Sequence, residues 1–181
     1  PLTEKSITSP INILGKSKLI TEKLIDFYSN NEKTYVILRI FQAYGPGQIR
    51  SFLLPTIISQ LDFSSNINQF ITLGDINAER DYIFIDDISS AFEAVINSDL
   101  PKGLNIFNIA SSIPKSAKDI ILLIQRLFGL KIKVNVDKKL LRKDEESIEY
   151  GSYEKAWREL GWKPSISIED GLLKTIKSDI R

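Results

Sequence analysis

Twice in this chain a short apolar run ends where polar residues gather. Arg39-Ile40-Phe41-Gln42-Ala43-Tyr44-Gly45-Pro46-Gly47-Gln48 is the first, and Arg80-Asp81-Tyr82-Ile83-Phe84-Ile85-Asp86-Asp87 is the second. In each, a strand meets a turn or a helix start. Strand ends, Gly-rich turns and helix N-termini are where α/β proteins hold ligands, so this arrangement constrains both the fold and the place to look for a site.

The hydrophobic spacing around these runs predicts strands alternating with helices. Residues 1–13 carry Pro1, Ser6, Ser9, Pro10 and Asn12 and read as an irregular lead-in. Over residues 17–28, Ile20, Leu24, Phe27 and Tyr28 share one helix face. Residues 34–40 form a β-branched run with little alternation, the pattern of a strand buried on both sides of a parallel sheet. A short helix is expected over residues 51–61, with Pro55 in its first turn, and a strand over 70–73. Residues 82–85 read as a strand, after which Asp86 or Asp87 caps a helix with Ile88, Phe92, Val95 and Ile96 on one face. A strand follows over 104–110. Ser116-Ala117-Lys118-Asp119 and Ser167-Ile168-Glu169-Asp170 each have the form of a capping box, the first helix stopping at Gly129. Ile132, Val134 and Val136 alternate as in a strand, and a short helix over 153–160 ends at Gly161. The pattern is that of an α/β protein.

Composition narrows function by exclusion. Lys+Arg 24 against Asp+Glu 23 leaves a formal charge of +1, without the basic excess that nucleic-acid binding requires. Lys131, Lys133, Lys138, Lys139 and Lys143 form the densest basic run and read as a solvated face. No apolar stretch reaches the ~20 residues of a membrane span, and no signal-peptide core is expected at the N-terminus. Cysteine and histidine are absent, which removes disulfides, thiol nucleophiles, Cys/His zinc sites and Ser-His-Asp triads. No metal site is expected. Methionine is absent too, as after removal of an initiator before Pro1 or trimming from a longer chain.

Gly45-Pro46-Gly47 invites comparison with a dinucleotide fingerprint and fails it. Arg50 stands at the third glycine position, and Pro46 removes an N–H where an anion would need one. Read alone, Gly45-Pro46-Gly47 is a common turn, Arg80-Asp81 a surface arginine beside a turn aspartate, and Arg142-Lys143-Asp144-Glu145 a solvated charge run. Taken together and in order, they resemble the extended short-chain dehydrogenase/reductase family, whose members are nucleotide-sugar epimerases, dehydratases and reductases. Tyr44 to Gly47 match the family's Tyr-Gly-Pro-Gly loop, and Arg80 matches its Arg-Asp-aromatic arginine. Arg142 and Glu145 match an Arg-Pro-x-acid element, with Lys143 in place of the proline and Asp144 as an alternative acid. The segment from Gly151-Ser152 to Gly161-Trp162-Lys163-Pro164 resembles the family's closing Leu-Gly-Trp-x-Pro, with Trp162 read as core. The tail is most similar to reductases and dehydratases of GDP-linked 6-deoxyhexoses.

The resemblance implies a substrate site in which Gln42, at a position where the family often has asparagine, joins Arg80 and Arg142 on the diphosphate and Glu145 on ribose hydroxyls. A guanidinium fork suits phosphate bidentately, as a lysine does not. It also implies a Tyr-x-x-x-Lys pair, in which the lysine holds the nicotinamide ribose and depresses the tyrosine's pKa, and the tyrosine moves the proton. Here Lys18 is in place and Leu14 stands at the tyrosine position. Loss of a general acid/base costs ~10²–10⁴ in rate. Tyr28 cannot substitute, since fourteen residues of helix separate it from Leu14 by about 21 Å. The family's Gly-rich cofactor strand-turn-helix and its active-site Ser/Thr would precede Pro1, and neither is found within residues 1–181.

The resemblance therefore implies the C-terminal part of a Rossmann-like parallel sheet (residues 1–44 and 82–110) with a smaller mixed substrate-binding lobe (45–81 and 111–181). It implies a nucleoside-diphosphate sugar as substrate, NAD or NADP in the intact family but not on this chain alone, a cytoplasmic setting, and a homodimer through the helix at 17–30. Phe27 and Tyr28 are candidate contacts there, with core packing as the competing reading. The functional alternative is a non-catalytic relative acting as a nucleotide-binding or interaction protein.

Overall fold

The computed structural model describes residues 1–65, 67–141 and 147–179. Helix α1 (Ile13–Tyr28) begins inside the stretch read as irregular, because Asn12 caps it: Asn12 Oδ1 accepts the Gly15 N–H at 2.8 Å. Strands β1 (Thr34–Ile40) and β2 (Gln42–Tyr44) follow, then α2 (Leu53–Ile58), β3 (Asn68–Leu73) and β4 (Glu79–Phe84). Next come α3 (Ile85–Ile96), β5 (Gly103–Ile109), β6 (Pro114–Ser116), α4 (Ala117–Phe128) and β7 (Lys131–Val136). A 3-10 turn at Lys138–Leu140 precedes β8 (Ile148–Glu149), α5 (Glu154–Leu160) and α6 (Ile168–Asp179).

The pairing is mostly parallel, as an α/β reading requires. β1 runs parallel to β5, Thr34 opposite Gly103 through Ile40 opposite Ile109. β2 is parallel to β4, with Gln42 opposite Tyr82, and β3 is parallel to β7. β4 also takes β6 antiparallel and β8 in parallel, with Arg80 opposite Glu149.

Because side chains alternate along a strand, β4 feeds two cores. Tyr82 and Phe84 join Tyr44, Ile57, Ile71, Ile120, Ile124, Leu172 and Ile176, while Ile83 joins Ile88, Ala91, Phe107, Ile109, Ala156 and Trp162. Tyr44 stacks edge-on against Tyr82 and Phe84, and burial pushes its phenol pKa up. Gly171 on α6 makes room for that ring, since a Cβ there would collide with the phenol. Trp162 is core, as expected, and its Nε1 donates to Asp87 O and Ser90 Oγ.

The capping box at Ser116 is complete: Ser116 Oγ accepts from Asp119 N–H at 3.1 Å, and Ser116 N–H donates to Asp119 Oδ2 at 2.9 Å. Ser116 Oγ–H also donates to Asp119 Oδ2 at 2.6 Å, and this bond, with that from the Ser116 N–H, holds the Asp119 carboxyl below its ordinary pKa. Gly129 and Gly161 end their helices in the left-handed conformation.

One open alternative is decided, on α1, and three expectations are corrected, on β1 and α3. On α1, Ile20, Leu24, Phe27 and Tyr28 face outward, 60%, 53%, 80% and 70% exposed, while Leu19, Glu22 and Ile25 turn inward. Periodicity groups residues on a face but does not say which face meets the sheet. Core packing within the described chain is thus ruled out for Phe27 and Tyr28. No β1 residue is buried, because β1 has one neighbouring strand among the described residues. On α3, Ile88 and Ala91 face the core, whereas Phe92 and Ile96 are exposed. Neither Asp86 nor Asp87 caps α3: its N-cap is Phe84, with no side-chain cap bond. Asp87 instead turns inward to a different task.

Candidate functional site

β4 places Arg80 where the parallel register also places Gln42 and Glu149. Register partners in a sheet share a face, as do residues two apart on a strand. Gln42 is opposite Tyr82, Tyr82 is two residues from Arg80, and Arg80 is opposite Glu149, so Gln42, Arg80 and Glu149 lie on one face. Arg80 Nη1 donates to Glu79 O at 2.7 Å, and its Nε lies 3.9 Å from Glu149 Oε2. The Arg80 side chain is 18% exposed against 51% for Glu149. A mostly buried guanidinium faced at 3.9 Å by an exposed carboxylate can exchange that contact for a phosphate, which offers more charge and bidentate geometry.

Arg142 and Glu145 lie outside the described residues. The chain is described again from Ser147, whose carbonyl accepts the Glu79 N–H at 2.8 Å, next to Arg80. Lys18 and Leu14 are exposed on α1, and among the described residues no hydrogen bond or ion pair joins Lys18 to Gln42 or Arg80. An open cleft of about 810 Å³ lies between Gly47, Arg50, Asp62, Phe63 and Phe128; neither Gln42 nor Arg80 lines it.

Two carboxylates that the sequence reading treated as turn or cap residues organise the surroundings. Asp81 is 1% exposed and accepts Ser111 N–H at 2.7 Å, Ser111 Oγ–H at 2.6 Å, Ser112 N–H at 2.9 Å and Gly151 N–H at 3.1 Å. It ties β4 to the β5–β6 loop and to the segment after β8, and so holds the backbone on both sides of Arg80. Ser112 sits there at φ 61°, a left-handed conformation stabilised by these bonds and by its Oγ accepting from Tyr153 N–H. Asp87 likewise accepts Ser165 N–H, Ser165 Oγ–H and Ile166 N–H, and fixes the approach to α6. An acid inside an aromatic-apolar strand, as in Arg80-Asp81-Tyr82-Ile83-Phe84, was the signal available for Asp81: a charge there is buried only if fully partnered. A third tie was not anticipated. Arg39 on β1 forks onto Glu22 of α1, Nε to Oε1 at 2.9 Å and Nη2 to Oε2 at 2.6 Å, with Nη1 on Glu4 O.

Among the described residues, the Gly45-Pro46-Gly47 turn does not fit a dinucleotide pyrophosphate. The Gly45-Pro46-Gly47 turn closes on itself through Gln48 N–H to Gly45 O, and α2 begins only at Leu53, so no helix N-terminus abuts the turn. Among the described residues no cluster of three or more His, Cys, Asp or Glu could hold a metal ion, and no helix is long and apolar enough to cross a membrane.

Comparison with known proteins identifies the family and the fold. The family described as GDP-mannose 4,6 dehydratase matches residues 1–175. The chain is 27% identical over 183 residues to a GDP-6-deoxy-D-mannose reductase from Pseudomonas aeruginosa, covering 99% of this chain and 59% of that protein. It is 29% identical over 183 residues to a dTDP-4-dehydro-6-deoxyglucose reductase from Escherichia coli, covering 98% of this chain and 55% of that protein. In fold it is similar to the UDP-glucuronic acid 4-epimerase of Bacillus cereus in complex with UDP-glucuronic acid and NAD, with TM-score 0.83, 26% identity, and 98% and 55% of the two chains covered. It is also similar in fold to the Pseudomonas aeruginosa protein RMD complexed with NADPH, with TM-score 0.84, 23% identity, and 98% and 59% covered. The chain thus spans between half and three-fifths of these relatives, corresponding to their C-terminal part. On its motifs, its fold and these matches, the chain belongs to the GDP-mannose 4,6 dehydratase family of the extended short-chain dehydrogenases/reductases.

Proposed function

We propose that this chain is the substrate-side portion of an NAD(P)-dependent nucleotide-sugar epimerase, dehydratase or reductase, and that it binds the nucleotide diphosphate of a sugar nucleotide. The observation that carries this is Arg80, held mostly buried on β4 beside Asp81 and on one face with Gln42. Arg80 takes the diphosphate, displacing Glu149, and the Gln42 amide adds a hydrogen bond. Arg142 and Glu145, in the run leading to Ser147, add a second guanidinium and an acid for the ribose hydroxyls.

In this reading residues 1–44 and 82–110 are the Rossmann-like portion and residues 45–81 and 111–181 the nucleotide-sugar lobe. The two share a core, in which Ala156 and Trp162 pack with Phe107 and Ile109. When bound, NAD or NADP supplies or accepts hydride. Lys18 is the residue of this chain assigned to its ribose, and Leu14 has no proton to give or take. The exposed stripe of Ile20, Leu24, Phe27 and Tyr28 is the surface assigned to pairing of two copies. The setting assigned is the cytoplasm.

Calorimetric titration of the folded chain with GDP, UDP, CDP and dTDP tests the reading. It expects one diphosphate to bind and Arg80→Ala to abolish that binding with unfolding unchanged. Binding that survives Arg80→Ala, or no binding of any of the four, would contradict it.

A further inference from the structure

We infer that the outer face of the β3–β7 pair docks on an anionic lipid surface. The alternation of side chains along each strand builds that face. On β3, Gln69, Ile71 and Leu73 are buried, the last two in the core that holds Ile57, so Asn68, Phe70 and Thr72 point away from it. On β7, Ile132 is buried and Val134 packs against the same core, so Lys131, Lys133 and Asn135 point outward. Register sets Asn68 beside Lys131, Phe70 beside Lys133 and Thr72 beside Asn135.

The face has an apolar centre and a cationic surround. Phe70 is 69% exposed, with Lys133 Nζ 5.8 Å from its ring centroid. Ile67, directly before β3, is 73% exposed. Lys138 and Lys139 continue the basic run on the 3-10 turn after β7, and both are exposed. Residues 67–73 and 131–141 hold four lysines and one acid, Asp137, whose Oδ1 accepts the Lys139 N–H at 2.8 Å. Among the described residues none of the four lysines is in an ion pair, whereas Arg39, Arg126 and Lys174 each have a carboxylate partner.

Protection of an edge strand accounts for Lys131 and Lys133, because charge on an edge discourages pairing. It does not account for an exposed phenyl on β3, for Ile67, or for two further lysines past the end of β7. The outer edge of β3 is closed in another way: Gln60 Oε1 accepts the Thr72 N–H at 2.8 Å, and Gln60 Nε2 donates to Thr72 O at 3.3 Å. What this part of the chain leaves open is therefore a face.

Charge complementarity selects an anionic occupant, and the apolar centre selects lipid. Lysine stems lie along apolar surface while their ammonium groups reach headgroup phosphates and carboxylates, which lets Phe70 and Ile67 enter the acyl boundary. A nucleic-acid strand would call for several aromatic rings to stack successive bases, and Phe70 is the one aromatic residue in these two segments. Binding of this kind lies on the membrane and needs no helix that crosses it.

Flotation of the whole chain with vesicles tests the proposal. At ~0.1 M salt the chain is expected to float with equimolar phosphatidylcholine and phosphatidylserine, not with phosphatidylcholine alone, and to be released as salt rises. Each lysine is expected to contribute about fivefold in partitioning, so Lys131→Glu with Lys133→Glu should weaken binding about 25-fold or more. Should that pair disturb the strand, Lys138→Gln with Lys139→Gln, on the turn, should weaken it about 25-fold instead. Phe70→Ala should weaken binding and leave its salt dependence in place. Arg80→Ala should leave vesicle binding unchanged, which keeps this result separate from the diphosphate reading. Failure to float with the anionic vesicles, equal binding to the neutral ones, or binding that survives the lysine changes or Phe70→Ala would each overturn the proposal. So would equally tight binding of a single-stranded oligonucleotide through the same lysines, which would make this a nucleic-acid face.

Discussion

β1 and β4 look alike as sequences and sit in opposite circumstances. Thr34-Tyr35-Val36-Ile37-Leu38-Arg39-Ile40 has no buried residue, whereas in Glu79-Arg80-Asp81-Tyr82-Ile83-Phe84 the last four are all buried. Among the described residues β4 has β2, β6 and β8 as neighbours and a core on each face, and β1 has β5 alone. Local sequence gave each its extended backbone, but burial came from what the rest of the chain supplied. The region around β4 is paired and packed on both sides and holds the candidate site, while among the described residues the outer edge of β1 is unpaired and the outer face of α1 is exposed.

That contrast can be broken most forcefully at Asp81. Asp81→Ala leaves four donors without their acceptor and should cost about 3 kcal/mol or more in urea unfolding, with the Ser111–Ser112 loop released. A cost below about 1 kcal/mol would mean that β4 is not the organising strand. Apolar truncation sharpens the same comparison. Ile57→Ala, at a site with 0% exposure, should cost about 2–5 kcal/mol, and Ile20→Ala, at 60%, should stay within about 0.5 kcal/mol. Equal losses at the two sites would show that α1 is as well packed as the core.

A smaller effect is expected at the cap of α4, within the packed region. Ser116→Ala should cost about 1 kcal/mol at neutral pH. Asp119 has a folded-state pKa below its unfolded one, so its contribution is present above the ordinary carboxylate value and is lost as pH falls through the depressed one. Wild type should therefore lose stability more steeply than Ser116→Ala below about pH 4, as acid titrations of the two melting curves would show. The smallest effect is predicted on α1: Leu14→Tyr, at 66% exposure, should change unfolding by less than about 0.5 kcal/mol.

Much of the architecture was legible. The β-branched runs, the Ser116 capping box and the terminating glycines located most strands and helices to within a few residues. Short pieces without periodicity, β2, β6 and β8, were not read, since two or three residues carry no pattern and exist only because β4 pairs with them. The start of α1 was hidden in a stretch dominated by Pro10 and Asn12, where the cap looked like loop. The face of α3 was misread, and on α1 the stripe was found but not its direction, for one physical reason: spacing groups apolar residues on a face without saying whether that face meets the core. In the site, Arg80 and Gln42 were found by motif and are brought to one face, whereas the roles of Asp81 and Asp87 depend on donors 30 to 79 residues away.

Hydrogen exchange resolved by residue on the chain alone measures the central contrast directly. The account predicts slow exchange across the buried residues of β4, and in β1 an alternation in which Tyr35, Ile37 and Arg39 are protected and Val36, Leu38 and Ile40 exchange fast. Uniform protection along β1, equal to that of β4, would contradict the account.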